Sequence, residues 1–229
     1  MKRIGLVGGM SWQSSALYYE LINEFVGERL GGFHSADCVM VSVDFAEIER
    51  MQHSGDWDAA AAILAREAAR LEGAGAELIV LCTNTMHKVA SAIEAAVTVP
   101  FLHLADVTAT AVIEAGIDVV GLLGTRFTMQ EDFYRERMQS HGLTVVVPNP
   151  EDMATVNRII YEELVGGIVL ESSRASYLAV IADLHSRGAR GVILGCTEIE
   201  LLISQSDTAL PVFPTTRLHA LAAVEASLA

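Results

Sequence analysis

The chain writes one unit twice. IGLVGG at residues 4–9 is echoed by VGLLGT at 120–125, and GAGAELIVLCT at 73–83 by SRGARGVILGCT at 186–197. The echoes keep their order and stand 116 and 114 residues apart. A duplicated unit has to fold the same way twice, so any fold for this chain must divide into two similar halves. The apolar runs say what each half is. Arg3–Val7, Cys38–Val43, Leu78–Leu81 and Pro100–Leu102 read as four strands of the first half. Val119–Leu123, Thr144–Val147, Val192–Leu194 and Val212–Phe213 read as four strands of the second. Most are continuous rather than alternating, the pattern of strands buried on both faces of a parallel sheet. Helical patterns lie between them, at Trp12–Leu30, DAAAAILAREAARLEGAG with its stop at Gly73 or Gly75, Asn84–Ala96, Gln130–Ser140, Pro150–Leu164 and Ser173–Gly188.

The expected fold is therefore α/β. It has two similar domains, each a four-stranded parallel sheet flanked by helices. The first domain takes residues 1–103, and the tail PTTRLHALAAVEASL reads as a helix, 214–229, returning to it. The second domain takes 104–213, with the joint near 103–117.

Composition narrows the partners. A formal net charge of −14 disfavours nucleic acid and anionic membrane surfaces alike. It leaves room for a small anionic substrate held by backbone N–H groups. The start MKRIGLVGGM is too short and too glycine-broken for a signal sequence and reads as a first strand. No stretch approaches the roughly 18–20 apolar residues of a membrane helix. Three cysteines make no disulfide framework. These features together predict a cytoplasmic protein with reduced thiols.

Two of those cysteines close the repeated phrases, in LCTNTMH and LGCTEIE. Ligands of parallel sheets bind outside the carboxyl ends of the strands, where Cys82 and Cys196 fall. A helix starting there would offer unpaired N–H groups and lower a thiol pKa. Thr83, Asn84, Thr85, Thr197 and Glu198 follow, with groups that cap a helix or hold a ligand. If the halves face each other, the thiols address opposite faces of one carbon. One removes a proton and the other supplies one, inverting the centre, with N–H groups taking up the developing charge. The plainer reading of a strand-end cysteine is a small buried hydrophobe, and that is the reading for Cys38 in ADCVMVSV. There is no C-x-x-C, and no His or Cys stands at zinc spacing. His87 falls on roughly the opposite side of the helix expected after Cys82, or just beyond its first turn, and is an outside candidate for the site. His103, in FLHLAD, is an outside candidate.

The glycine loops complete the pattern. GLVGGMS lacks a third spaced glycine and is a poor nucleotide fingerprint. It reads as a tight turn that lets the backbone around Gly9 and Met10 approach a small anion. Its counterpart, Gly124-Thr125-Arg126-Phe127-Thr128, adds the hydroxyls of Thr125 and Thr128.

With these residues in place, the chain resembles the aspartate/glutamate racemases of the Asp/Glu/hydantoin racemase superfamily. The resemblance is nearest to the bacterial broad-specificity amino-acid racemase branch. It is carried by IGLVGGMSW, CTNTMHK and GCTEIELL, and by SVDFAEIE at 42–49, PFLHLAD at 100–106, LLGTRFTM at 122–129 and DFYRERM at 132–138. It implies two pseudo-two-fold-related α/β domains with the active site in the cleft between them, and an isomerase in which Cys82 and Cys196 are the acid/base pair. The substrate α-carboxylate would lie among Thr83, Asn84, Thr85 and Thr197. No metal or pyridoxal phosphate is implied, and a homodimer is. Strict aspartate racemases hold the distal carboxylate with an Arg after the second strand and a Lys in the second half. Here FAEIERMQHSGDW, read as a loop, offers only Arg50 and a neutral His53, and no Lys lies near IYEELVGGIV. Gln52 would contact a substrate side chain by hydrogen bonding, which suits a neutral or mixed range. Maleate isomerase or arylmalonate decarboxylase chemistry on the same fold, or non-catalytic binding of a small carboxylate, are the alternatives.

Overall fold

The computed structural model describes residues 1–229. The chain forms two compact units, Met1–Leu104 with His219–Ala229, and Ala105–Leu218. In the first unit the strands are β1 (Ile4–Gly8), β2 (Cys38–Ser42), β3 (Leu78–Leu81) and β4 (Phe101–Leu102), in spatial order β2-β1-β3-β4. In the second they are β5 (Val119–Gly124), β6 (Thr144–Val146), β7 (Val192–Gly195) and β8 (Val212–Pro214), in order β6-β5-β7-β8. The two orders are the same order, and every pair in both sheets is parallel. The duplication read from the sequence is thus a duplication of topology.

The continuous apolar runs are explained by two-sided burial. Every residue of β1, β3 and β7 is buried. Side chains alternate across a strand, so β1 and β3 feed two cores at once. Ile4, Leu6, Leu78 and Val80 pack with Tyr18, Leu21 and Ile22 of helix Trp12–Leu30 and with Ala220, Ala223 and Val224 of the last helix. Val7, Ile79 and Leu81 pack on the other face with Leu64, Ala68 and Leu71 of helix Trp57–Gly73. In the second unit Leu123, Val192 and Leu194 meet Val156, Ile159, Tyr177 and Ile181 from helices Pro150–Glu162 and Glu171–Ser186. Each fully buried Leu or Ile contributes roughly 1.5–3 kcal/mol, and truncation of one to Ala costs about 2–5 kcal/mol.

Four segments depart from the sequence reading. The stretch after β2 is a helix, Phe45–Ser54, rather than a loop. Asp44 caps it through the Ala46 N–H, and Gly55 ends it with φ 75°. The joint between the halves is also helical, at Leu104–Glu114. The helix expected over Asn84–Ala96 is a 3-10 turn, Thr85–Val89, followed by a short helix, Ala90–Ala96. The helix expected over Gln130–Ser140 starts at Asp132, after a separate turn, Arg126–Gln130, capped by Thr125. The last helix spans Thr215–Leu228 and joins the first unit from His219 onward. No helix is long and apolar enough to cross a membrane.

Candidate active site

In the first unit β3 delivers Cys82. The Cys82 N–H donates to the Val7 carbonyl at 2.9 Å, extending the β1–β3 pairing one residue past the strand. The sulfur is fully buried. The chain then turns, with the Thr83 N–H on the Leu81 carbonyl, into the 3-10 turn at Thr85. This corrects the expected electrostatics. A five-residue 3-10 turn lacks the long aligned dipole of an α-helix, and burial pushes the Cys82 thiol far above its ordinary range rather than lowering it. Asn84 and Thr85 are buried beside it. Gln52, on the unforeseen helix, is 5% exposed, and its Nε2 donates to Met86 Sδ at 3.0 Å. That contact ties the helix to the segment following Cys82.

Gly9 follows β1, with φ 99°. A Cβ there would meet the Val43 carbonyl oxygen at 2.2 Å, so the turn admits glycine alone. The Gly9 N–H already donates to Ser15 Oγ at 2.8 Å, and Met10 is buried in the core facing helix Trp57–Gly73. His87 is not on a far face. Its Nδ1 lies 2.7 Å from the Thr83 carbonyl and its Nε2 accepts the Leu104 N–H at 3.2 Å. His103 and His219 pack edge-on around it, with ring centroids 4.8 and 5.8 Å away.

In the second unit β7 delivers Cys196, which is half-buried. Its Sγ donates to Glu198 Oε2 at 2.9 Å. Burial first, and then the neighbouring Glu198 charge and its hydrogen bond, push this thiol well above its ordinary range. Here too only a 3-10 turn, Thr197–Leu201, follows the cysteine. Thr197 Oγ1 lies 2.8 Å from Thr216 Oγ1, and Thr215 Oγ1 donates to the Leu194 carbonyl at 2.9 Å. Thr125 and Thr128 pair their hydroxyls at 3.2 Å. They stand beside β7, because Gly124 and Gly195 are register partners. A Cβ on Gly195 would come within 2.9 Å of the Leu123 carbonyl oxygen, and that closeness is what brings the Thr125–Thr128 turn against the Cys196 corner.

Beyond the corner, a cavity of about 190 Å³ is lined by Leu194, Glu200, Ile203, Val212, Pro214 and Arg217 among others. Burial raises the Glu200 carboxyl to about 7 against the opposing pull of Arg217. All three cysteines are free, and Cys38, half-buried, packs against the core that holds Ile4 and Leu6. No group of three or more His, Cys, Asp or Glu side chains is arranged to hold a metal ion.

Sequence reasoning missed the partners that fix each corner: His87 and Ser15 in the first unit, Thr215 and Thr216 in the second. The Thr-Thr pair had a signal. It opens the last helix directly after β8, at a strand-to-helix junction where hydroxyl residues recur. His87 had none, because its role depends on the 3-10 turn that replaced the expected helix.

Each unit therefore carries one thiol at a strand end, beside hydroxyl and amide groups, and one of the thiols has a carboxylate partner. A family model described as Asp/Glu/Hydantoin racemase matches residues 7–223. A crystal structure from Yersinia pestis, provisionally assigned as an Asp/Glu racemase, is 53% identical with a TM-score of 0.95, covering 100% of both chains. An aspartate racemase homologue from Pyrococcus horikoshii OT3 is 36% identical with a TM-score of 0.90, again over 100% of both chains. The broad specificity amino-acid racemase RacX of Bacillus subtilis is 22% identical over 99% of this chain and 98% of its own. With its duplicated sheets and paired cysteine corners, the chain belongs to the Asp/Glu/hydantoin racemase family.

Proposed function

We propose that this protein is a cofactor-independent amino-acid racemase in which Cys82 and Cys196 act on opposite faces of one Cα. The observation that carries the reading is the match between the two corners. Topologically equivalent strands, β3 and β7, each end in Cys-Thr, and each Cys-Thr is followed by a 3-10 turn. One thiolate takes the α-proton and leaves a carbanion. The opposite thiol delivers a proton to the other face and becomes the new thiolate. Bonds and charge balance over the turnover, and the two cysteines have exchanged roles. Both thiols start protonated at neutral pH, since both are pushed up. The Cys196 thiol already donates to a carboxylate, so Glu198 is the nearest acceptor for its proton. Free thiols as the working state suit a reducing cytoplasm.

Substrate range follows from what surrounds the corners. Arg50 is exposed on helix Phe45–Ser54, and Gln52 is the buried polar group of that helix. The segment Val165–Leu170 is apolar with Val165, Ile168, Val169 and Leu170 exposed. This supports a range that includes neutral amino acids. The test is incubation with L- and D-aspartate, glutamate and a neutral panel in deuterated water. Loss of optical rotation with deuterium at Cα is expected. No exchange with any of them would overturn the proposal and leave carboxylate binding, or another reaction of the fold, as the function.

A further inference from the structure

His87 is 3% exposed, five residues beyond Cys82, and its two ring nitrogens have assigned jobs. The Thr83 carbonyl can only accept, so the Nδ1 that lies 2.7 Å from it carries the proton. The Leu104 N–H can only donate, so Nε2 must present a lone pair at 3.2 Å. The imidazole is thereby held neutral and in one tautomer. Three elements close around it. His103 stands at the end of β4 and His219 on the last helix. Tyr18 of helix Trp12–Leu30 reaches His219 Nδ1 at 2.9 Å from behind. His219 is fixed in its turn, with Nε2 donating to the Leu102 carbonyl at 2.9 Å. The titratable groups facing His87 are thus two imidazoles, with the phenol behind one of them. Burial and both imidazoles disfavour a charge on it.

We propose that His87 is a positioning residue for the Cys82 corner: as the Nδ1–H tautomer it fixes the Thr83 carbonyl, and with it the turn that carries the chain away from Cys82. What the corner does rests on the racemase reading; the contact itself does not. Protonation of His87 would put a hydrogen on Nε2 against the Leu104 N–H. The ring would have to move, and Thr83 would move with it.

Three variants separate positioning from packing. His87→Asn keeps a donor close to the Nδ1 position and loses the acceptor for Leu104. His87→Gln keeps an acceptor at the Nε2 position and loses the donor for Thr83. His87→Leu keeps only bulk. Two readouts are taken on the full chain: the iodoacetamide alkylation rate of Cys82 against that of Cys196 by peptide mass spectrometry, and kcat and KM for the best amino acid of the panel. We expect His87→Asn to stay within about 3-fold of wild type in kcat. His87→Gln and His87→Leu should lose roughly 10-fold or more in kcat with little change in KM. Both should also alkylate several-fold faster at Cys82 alone. If Asn and Gln behave alike, or if the Cys82 rate does not move while the melting temperature drops, His87 only packs and the proposal fails. Should the protein racemise nothing, the Cys82-to-Cys196 alkylation ratio still decides the matter. Should His87→Leu not fold, the Asn–Gln contrast carries the test alone.

Discussion

The two cysteine corners share a strand, a turn and a threonine, and differ in almost everything else. Cys82 is fully buried, and burial is the only influence that lifts its thiol. Its corner carries buried amide and hydroxyl groups, and burial disfavours a charge on His87 and on His219. Cys196 is half-buried and donates to a carboxylate two residues on. The duplicated topology reproduced the place of the thiol and left its environment free to diverge. A two-base inversion needs two equivalent positions in space. It does not need two equivalent pKa values, because one thiol starts each turnover as acid and the other as base. On the proposed two-thiol reaction, the contrast would put proton release in the resting state on the Cys196 side, where an acceptor is in hydrogen-bond contact.

The largest effect tests whether the corners work as a pair. Cys82→Ser and Cys196→Ser should each reduce racemisation by about 10³-fold or more, since a serine hydroxyl is a far weaker acid at neutral pH. Each single variant should still exchange the α-proton of one enantiomer, and the two should differ in which one. Deuterium incorporation from each pure enantiomer measures this. Exchange of the same enantiomer by both variants would break the opposite-face assignment.

The next effect sets the units against each other by pH. Burial lowers His219 to about 4 in the first unit and raises Glu200 to about 7 in the second. On acidification the unfolded chain protonates the histidine near 6.5 while the folded one does not. The first unit therefore loses stability between about pH 6.5 and 4, by on the order of 3 kcal/mol. On raising the pH the unfolded chain ionises the glutamate near 4.5 while the folded one holds its proton. The second unit therefore loses a similar amount, about 3 kcal/mol, between about pH 4.5 and 7. Glu200→Gln should flatten the second dependence and leave the first. Amide hydrogen exchange of peptides from β1–β3 and from β5–β7 at pH 4, 5.5 and 8 reads the two separately.

How much of this was legible beforehand follows the same division. Continuous apolar runs announce buried strands whatever surrounds them, so eight strands in two similar sets of four could be read from the chain, while their order within each sheet could not. The helix Phe45–Ser54 was not, because Ile48 and Gln52 are its only fully covered residues and the polar remainder reads as a loop. The corners were half legible. Cys-Thr at matched strand ends is a local signal. The 3-10 turns that follow are not, since Asn84–Ala96 has a helical composition and tertiary packing overrides it. The expected lowering of both thiols failed for that reason. It relied on a helix dipole that the turns do not supply, and burial prevailed.

A smaller effect probes Glu198 directly. Replacing it by Gln in Glu198→Gln removes the charge beside Cys196 but not the bulk. The Cys196 thiol should then titrate at lower pH, shown by an alkylation midpoint that moves down for Cys196 and stays for Cys82. Racemisation should fall about 10–100-fold, roughly 1.4–2.7 kcal/mol, in the direction where Cys196 is the base. A midpoint that falls with no loss of rate would leave Glu198 a mere neighbour and remove the functional asymmetry between the corners.

The smallest effect concerns the turns that flank the cysteines. The first unit has glycine, Gly9, where the second has Thr125, and only the threonine closes its turn with a side chain. Thr125→Ala loses a cap and should cost about 1 kcal/mol, seen as a lower unfolding midpoint in urea. Gly9→Ala is a different kind of change. A methyl at φ 99° would run into the Val43 backbone, so its damage should exceed the Thr125 effect and should appear first as lost protection in β1 and β2. If the two cost the same, the first turn yields more readily than its close contact with Val43 implies, and the two corners are mechanically more alike than their chemistry.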